Sequence, residues 1–145
     1  MRLAVGSDER NHVTDALLED LRQRGHELLL FGPLADHADA WPEVGRAVGA
    51  AVAAGDADQG IVCCHTGTGV SIAANKLPGI RAALCQDAQT AAGARKWNDA
   101  NVLALSLRTT TRELAREILD AWFATACPPE EQVYVDQVRA LDASR

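Results

Sequence analysis

The chain has 145 residues, 48% of them apolar, and its 20 acidic against 14 basic residues give a formal charge of −6. That length and apolar share suit a single domain over 1–145 with a buried core. The negative balance argues against non-specific nucleic-acid binding, which needs a basic face to release counterions. The opening "MRLAVGSDER" turns polar too soon for a secretion signal or a membrane span, so a soluble cytoplasmic protein with no membrane partner is expected.

"RLAVGSD" is a short apolar run closed by Gly-Ser-Asp, which predicts a buried strand and a turn. "HVTDALLEDLRQRGH" sets Val13, Ala16, Leu17 and Leu21 at helical spacing, with Gly25 as the stop. "ELLLFG" is a second strand, and "PEVGRAVGAAVAAG" a helix from Pro42 to Gly55. "QGIVCC" is a third strand, "GVSIAANK" a short helix, "IRAALC" a fourth strand and "DAQTAAGARKW" a helix. "NVLALS" makes a fifth strand and "TRELAREILDAWFATA" an amphipathic helix. After a Pro-Pro break, residues 126–145 are expected to form a C-terminal arm or helix at a subunit interface. Alternating short strands and helices predict an α/β, three-layer Rossmann-like fold: a five-stranded parallel sheet with helices on both faces.

Ligands of such sheets lie at the strands' carboxyl ends, near a switch in strand order. Three stretches collect there: Gly6 to Glu9, Cys64 to Gly69, and Asp87 onward. The glycine-rich "HTGTG" can aim backbone N–H groups at an oxygen, either of a phosphate or of an enolate, or it can simply be a tight strand-to-helix turn. It is neither a Walker nor a dinucleotide-binding pattern.

Four cysteines, Cys63, Cys64, Cys85 and Cys127, form no paired framework, and two are neighbours. They lack zinc spacing, so a reducing compartment and no metal are expected. A thiol's ordinary pKa of about 8.5 falls near a helix start or a cation, which makes Cys64 a candidate thiolate base. Cys63 should face the other side of the strand. Cys63, Cys85 and Cys127 are expected to be inert core thiols.

The stretch "GIVCCHTGTGVSIAANKLPGIRAALCQD" and the later "NDANVLALSLR" resemble the family of ribose-5-phosphate isomerase B and galactose-6-phosphate isomerase. "GSD", "WPEVGRAVGAAVAAGDAD" and "TRELAREILDAW" fit the same pattern, so the resemblance covers roughly residues 1 to 125. It implies a cofactor-free aldose-ketose isomerase acting on a carbohydrate or related carbonyl compound. It also implies a homodimer or homotetramer whose active site is shared between chains. By position, Cys64 matches the proton-moving cysteine and Thr66 the threonine beside it. Gly67, Thr68, Gly69 and Val70 match the loop that stabilises the enediolate. Asp8 matches an aspartate that contacts sugar hydroxyls, and Asn98 an asparagine from the neighbouring subunit.

Several site positions depart from that pattern. Glu9 replaces a histidine of the Ser-Asp-His start, placing a carboxylate where a phosphate should lie. Trp97 replaces the histidine thought to open the sugar ring, and an indole offers only a donor N–H. The Gly-Gly-Arg-His tail is missing, and Val133, Asp136 and Tyr134 take the places of its two arginines and its histidine. A charge-assisted hydrogen bond is worth ~1.5–3 kcal/mol, so losing several costs a phosphorylated ligand roughly a thousandfold. His65 replaces a glycine and is either a new acid-base or substrate group or an exposed loop histidine. Trp41 replaces a tyrosine, and with Trp97 it is read as an apolar wall or as interface packing. Arg10 and His12 are the nearby groups that would compensate, with Arg10 either pairing with Glu9, reaching a phosphate or simply lying in solvent, and His12 either a ligand or a residue on the face of the first helix.

The reading is therefore a Cys64-dependent isomerase whose substrate is changed from ribose 5-phosphate. The rival readings are a non-catalytic or partner-dependent sugar-binding subunit, and an epimerase or double-bond isomerase using the same site.

Overall fold

The computed structural model describes residues 1–143. Five strands, β1 (Arg2–Ser7), β2 (Glu27–Phe31), β3 (Gln59–Cys64), β4 (Ala82–Leu84) and β5 (Val102–Ser106), form one sheet in the order β2-β1-β3-β5-β4. Every pairing is parallel. The helices are α1 (His12–Gln23), α2 (Trp41–Ala53), α3 (Thr68–Ala74), α4 (Ala88–Asn98), α5 (Arg112–Ala124) and α6 (Gln132–Asp142). The fold class is the three-layer α/β arrangement that the alternation of apolar strands and helices predicts.

Local chemistry explains most boundaries. The Asn11 side chain accepts from the Val13 and Thr14 N–H groups, and the Thr14 hydroxyl accepts from the Asn11 N–H, a reciprocal cap that starts α1. Gly25 adopts φ 87° just after that helix. Asp87 and Thr111 cap α4 and α5 through the N–H groups of Thr90 and Leu114. The apolar face of α1 is Val13, Leu17, Leu18 and Leu21, with Thr14 buried beside them and Ala16 only partly covered.

Side chains alternate across each strand, so the sheet carries two cores. On one face Leu3, Val5, Ile61, Cys63, Leu103 and Leu105 meet α1, α4 and α5, including the fully buried Ile118, Leu119 and Trp122. The Trp122 Nε1–H donates to Gln59 Oε1 at 2.8 Å, which satisfies the indole's polar atom. On the other face Ala4, Val62, Cys64 and Ala104 meet α2 and α3 through Val44, Val48, Val70 and Ala74. Each such large apolar side chain contributes about 1.5–3 kcal/mol of burial.

One strand boundary differs from the sequence expectation, and its cause is local. The fourth strand begins at Ala82 and not at Ile80, since the Ile80 N–H donates to the Leu77 carbonyl and the Arg81 N–H to Asn101 Oδ1, so neither joins the ladder; it spans Ala82–Leu84 of "IRAALC". The C-terminal segment is the helix α6, preceded by a turn of 3-10 helix at Pro129–Glu131. Only Val135 of α6 is fully buried, while Val133, Tyr134, Val138 and Leu141 are exposed.

From β1 the chain moves one way to β2 and the other way to β3. The carboxyl ends of β1 and β3 therefore flank the switch in strand order, the place where sheets of this kind have their ligand crevice.

Candidate active site

Cys64 is the last residue of β3, and Ser106, the last of β5, is its register partner. The Asp8 N–H reaches the Cys63 carbonyl at 3.4 Å and carries the β1–β3 ladder one residue further. Asp8, Cys64 and Ser106 thus form a row across three neighbouring strand ends. Cys64 is 5% exposed, at the rim of the core beneath α2 and α3. Cys63 points into the opposite core, and burial, aided by Cys64 and Asp8, pushes its thiol up to about 12.

The loop after Cys64 is held by the strand beside it. The Leu107 N–H donates to the Cys64 carbonyl at 3.0 Å and the Arg108 N–H to the His65 carbonyl at 2.9 Å. The His65 and Thr66 side chains are exposed. The Thr66 and Thr68 hydroxyls share a hydrogen bond of 2.7 Å. Gly67 turns the chain into α3 at φ 76°, and a Cβ there would lie 2.6 Å from Leu84 Cδ1 and 2.9 Å from the Leu105 carbonyl carbon. The first helical bond of α3 runs from Ser71 N–H to the Gly67 carbonyl at 3.3 Å. The N–H groups of Thr68, Gly69 and Val70 precede it and lack intrahelical acceptors. Trp41, the first residue of α2, lies over Gly69, so a Cβ there would approach Trp41 Cε3 to 2.8 Å.

In the first loop, the Ser7 hydroxyl donates to the Glu9 carbonyl at 2.5 Å and accepts from the Glu9 N–H at 3.3 Å. This fixes the backbone on both sides of Asp8. Burial, and next the Glu9 charge, raise the Asp8 carboxyl above its usual range, while the Asp8 backbone N–H and His65 act in the opposite sense. Arg10 does not pair with Glu9: its Nε–H donates to Asp15 Oδ1 at 3.1 Å, turned toward α1. His12 is exposed at the start of α1.

Trp97 and Asn98 lie elsewhere in the chain. They end α4, which runs back against the sheet, so they stand near the amino ends of β4 and β5. The Trp97 ring folds over Gly93 of its own helix and is 55% exposed. Asn98 lines a pocket of about 350 Å³ together with Asn75, Arg81 and Arg139. Trp41 and Trp97 therefore form no common wall within one chain. The residues assembled at the strand ends are Asp8, Glu9, Trp41, Cys64, His65, Thr66, Gly67, Thr68, Gly69 and Val70.

Arg108 belongs with them and was missed in the sequence. It follows β5 directly, its backbone holds His65, and among the described residues its exposed side chain makes no ion pair. The signal for it was "LSLRTT" at the carboxyl end of an apolar strand, the same cue that found the other loops.

Residues 3–139 match the family described as Ribose/Galactose Isomerase. Ribose-5-phosphate isomerase B of Escherichia coli is 36% identical over 99% of this chain and 98% of its own length. The D-erythrulose-4-phosphate isomerase of Pectobacterium atrosepticum is 37% identical over 84% of this chain and 82% of its own. The structure of Clostridium thermocellum ribose-5-phosphate isomerase B superposes with a TM-score of 0.91 at 35% identity, covering 99% of both chains.

Proposed function

The chain belongs to the ribose/galactose isomerase family, and from that premise we propose that it interconverts an aldose and a ketose by proton transfer through Cys64. The observation that carries this reading is the position of Cys64. It is the only thiol among the described residues at the mouth of the switch crevice, between Asp8 and Ser106, directly before a loop rich in free backbone donors.

In this mechanism the Cys64 thiolate removes the proton from the carbon beside the substrate's carbonyl. The electron pair flows into a C=C bond and the carbonyl becomes an enediolate oxygen. Backbone N–H groups between Thr66 and Val70 stabilise that oxygen, the type of interaction whose loss commonly costs about 10²–10³ in rate. The thiol returns the proton to the neighbouring carbon and the hydroxyl proton moves between the two oxygens, so nothing is consumed. Asp8 accepts hydrogen bonds from substrate hydroxyls, and the Thr66 hydroxyl assists beside the thiol.

The substrate is an open-chain polyhydroxy carbonyl compound other than ribose 5-phosphate. Trp97 stands where the resemblance calls for a ring-opening histidine, and Trp97 and Asn98 reach Cys64 only from a second copy of the chain. The relative named for D-erythrulose 4-phosphate supports this reading, because a tetrose esterified at O4 cannot close a five-membered ring. Glu9 disfavours a dianion at the first loop, and Arg108 is the cation at this rim that would meet an anionic end group.

The test is proton exchange in deuterated water, followed by NMR, with open-chain and cyclic aldoses, ketoses and their phosphates. Deuterium should enter beside the carbonyl with the wild type and not with Cys64→Ala, and fastest with compounds that cannot cyclise. Rapid Cys64-dependent turnover of ribose 5-phosphate would overturn the substrate assignment. A bound sugar with no exchange would favour a non-catalytic subunit.

A further inference from the structure

Ser106 is 2% exposed and its hydroxyl is committed in both senses. It donates to the His65 carbonyl at 3.1 Å and accepts from the Thr109 N–H at 3.3 Å. The His65 carbonyl also accepts from the Arg108 N–H at 2.9 Å, so both of its lone pairs are filled from the β5 side. One hydroxyl therefore joins the loop after β3 to the loop after β5, next to the thiol in the strand register.

The consequence follows from peptide planarity. The bond between His65 and Thr66 is trans, so its C=O and N–H point in opposite directions. With the His65 carbonyl turned toward β5, the Thr66 N–H must point away from β5, to the side where β1 ends and Asp8 stands. That is the crevice where the enediolate oxygen would form.

We propose that Ser106 is a positioning residue: its hydroxyl locks the His65–Thr66 peptide so that the Thr66 N–H serves as a donor to the reacting oxygen. This rests on the isomerase reading above. Without the hydroxyl a single backbone bond remains, and the peptide plane can swing about the bonds on either side of it. The donor would then lose its aim while the substrate's other contacts stayed in place.

The experiment compares Ser106→Ala, Ser106→Thr and Cys64→Ala in the deuterium-exchange assay, with thermal melts to confirm folding. Ser106→Ala should lower kcat by about tenfold to a hundredfold with KM within about twofold, since a donor is misaimed and not removed. Ser106→Thr, which keeps the hydroxyl, should recover most of the rate. In ¹⁵N spectra the Thr66 amide should shift when a short aldonohydroxamate, an enediolate mimic, binds the wild type, and Ser106→Ala should lose that shift. Wild-type kcat in Ser106→Ala, an equal loss in Ser106→Thr, or an unchanged Thr66 response each overturns the proposal. Should Ser106→Ala fail to fold, Ser106→Cys, a weaker donor of similar size, must be slower than wild type, and an equal rate overturns it. Exchange that persists in Cys64→Ala would instead refute the thiol base, whatever Ser106 does.

Discussion

Cys63 and Cys64 are consecutive residues of β3, yet their side chains enter different cores, and Cys63 has no exposed surface. Burial pushes the Cys63 thiol from the ordinary thiol range up to about 12, and Cys85 is raised to about 12 by burial and then Asp87. Both groups are neutral in the folded state at pH values where the unfolded chain has already ionised. Above the ordinary thiol pKa of about 8.5 the unfolded state binds fewer protons, so stability falls as pH rises, until about 12. Each thiol contributes a slope of about 1.4 kcal/mol per pH unit in that window and none below it. Urea titrations across this range should show the alkaline loss, and Cys63→Ala with Cys85→Ala should flatten it. An unchanged slope in the double variant would assign the loss to other groups.

Gly69 is the second helical residue of α3, where alanine would ordinarily raise helix propensity. Here a Cβ would lie 2.8 Å from Trp41 Cε3 and 2.9 Å from Cδ2, so the indole must move. Gly69→Ala should destabilise the fold by about 1–3 kcal/mol, the usual range for overpacking. It should also change Trp41 fluorescence and slow the reaction. Trp41→Ala in the same chain removes the obstacle, so the pair should be more stable than the sum of the two single changes. Strict additivity in thermal melts would mean that the ring leaves without cost.

The strand count, the parallel alternation and the opposed cysteines were legible because each rests on local pattern: apolar runs, period-two alternation and glycine stops. Strand order was not, since it depends on which apolar edges meet after the chain collapses. That gap explains why Ser106 and Arg108 were overlooked. The residues after the first, third and fourth strands were gathered, but only the order β1-β3-β5 shows that "SLR" borders Cys64. The same limit applies to Trp97 and Asn98, whose neighbourhood depends on the direction in which α4 returns along the sheet. Of the readings open for Arg10, the solvent-exposed one holds, because Asp15, one turn into α1, captures its guanidinium before Glu9 can.

Trp97 and Arg108 separate two demands on the substrate. If Trp97 has replaced a ring-opening group, Trp97→His should raise kcat for cyclic sugars about tenfold or more while leaving open-chain compounds nearly unchanged, the usual scale of general acid-base assistance being about 10²–10⁴. Arg108→Ala should raise KM for anionic substrates by about tenfold, equivalent to one charge-assisted contact, and spare neutral ones. Steady-state kinetics on matched phosphorylated and unphosphorylated compounds distinguishes these effects. Equal losses on both classes in Arg108→Ala would remove Arg108 from anion recognition.

Asp99 closes α4 in a left-handed conformation at φ 45°, and three arginines surround its carboxylate. Arg81 Nη2, Arg95 Nη1 and Arg139 Nη2 lie 3.5, 3.5 and 3.6 Å from it, with the Arg81 and Arg95 side chains only 14% and 13% exposed. The Arg81 Nε–H also donates to the Asn98 carbonyl at 3.2 Å and the Asp99 carbonyl at 2.9 Å, so the charge cluster holds the turn that presents Asn98. Asparagine tolerates the left-handed conformation, so Asp99→Asn removes the charge alone, leaving three guanidinium groups to repel one another. The cost should be about 1–3 kcal/mol, below that of a fully buried pair because the cluster is partly solvated. Asp99→Ala should cost about 1–2 kcal/mol more through backbone strain. Urea unfolding gives the ranking, and added sulfate should stabilise Asp99→Asn more than the wild type by replacing the lost negative charge. If sulfate helps both equally, repulsion among the arginines is not what the carboxylate relieves.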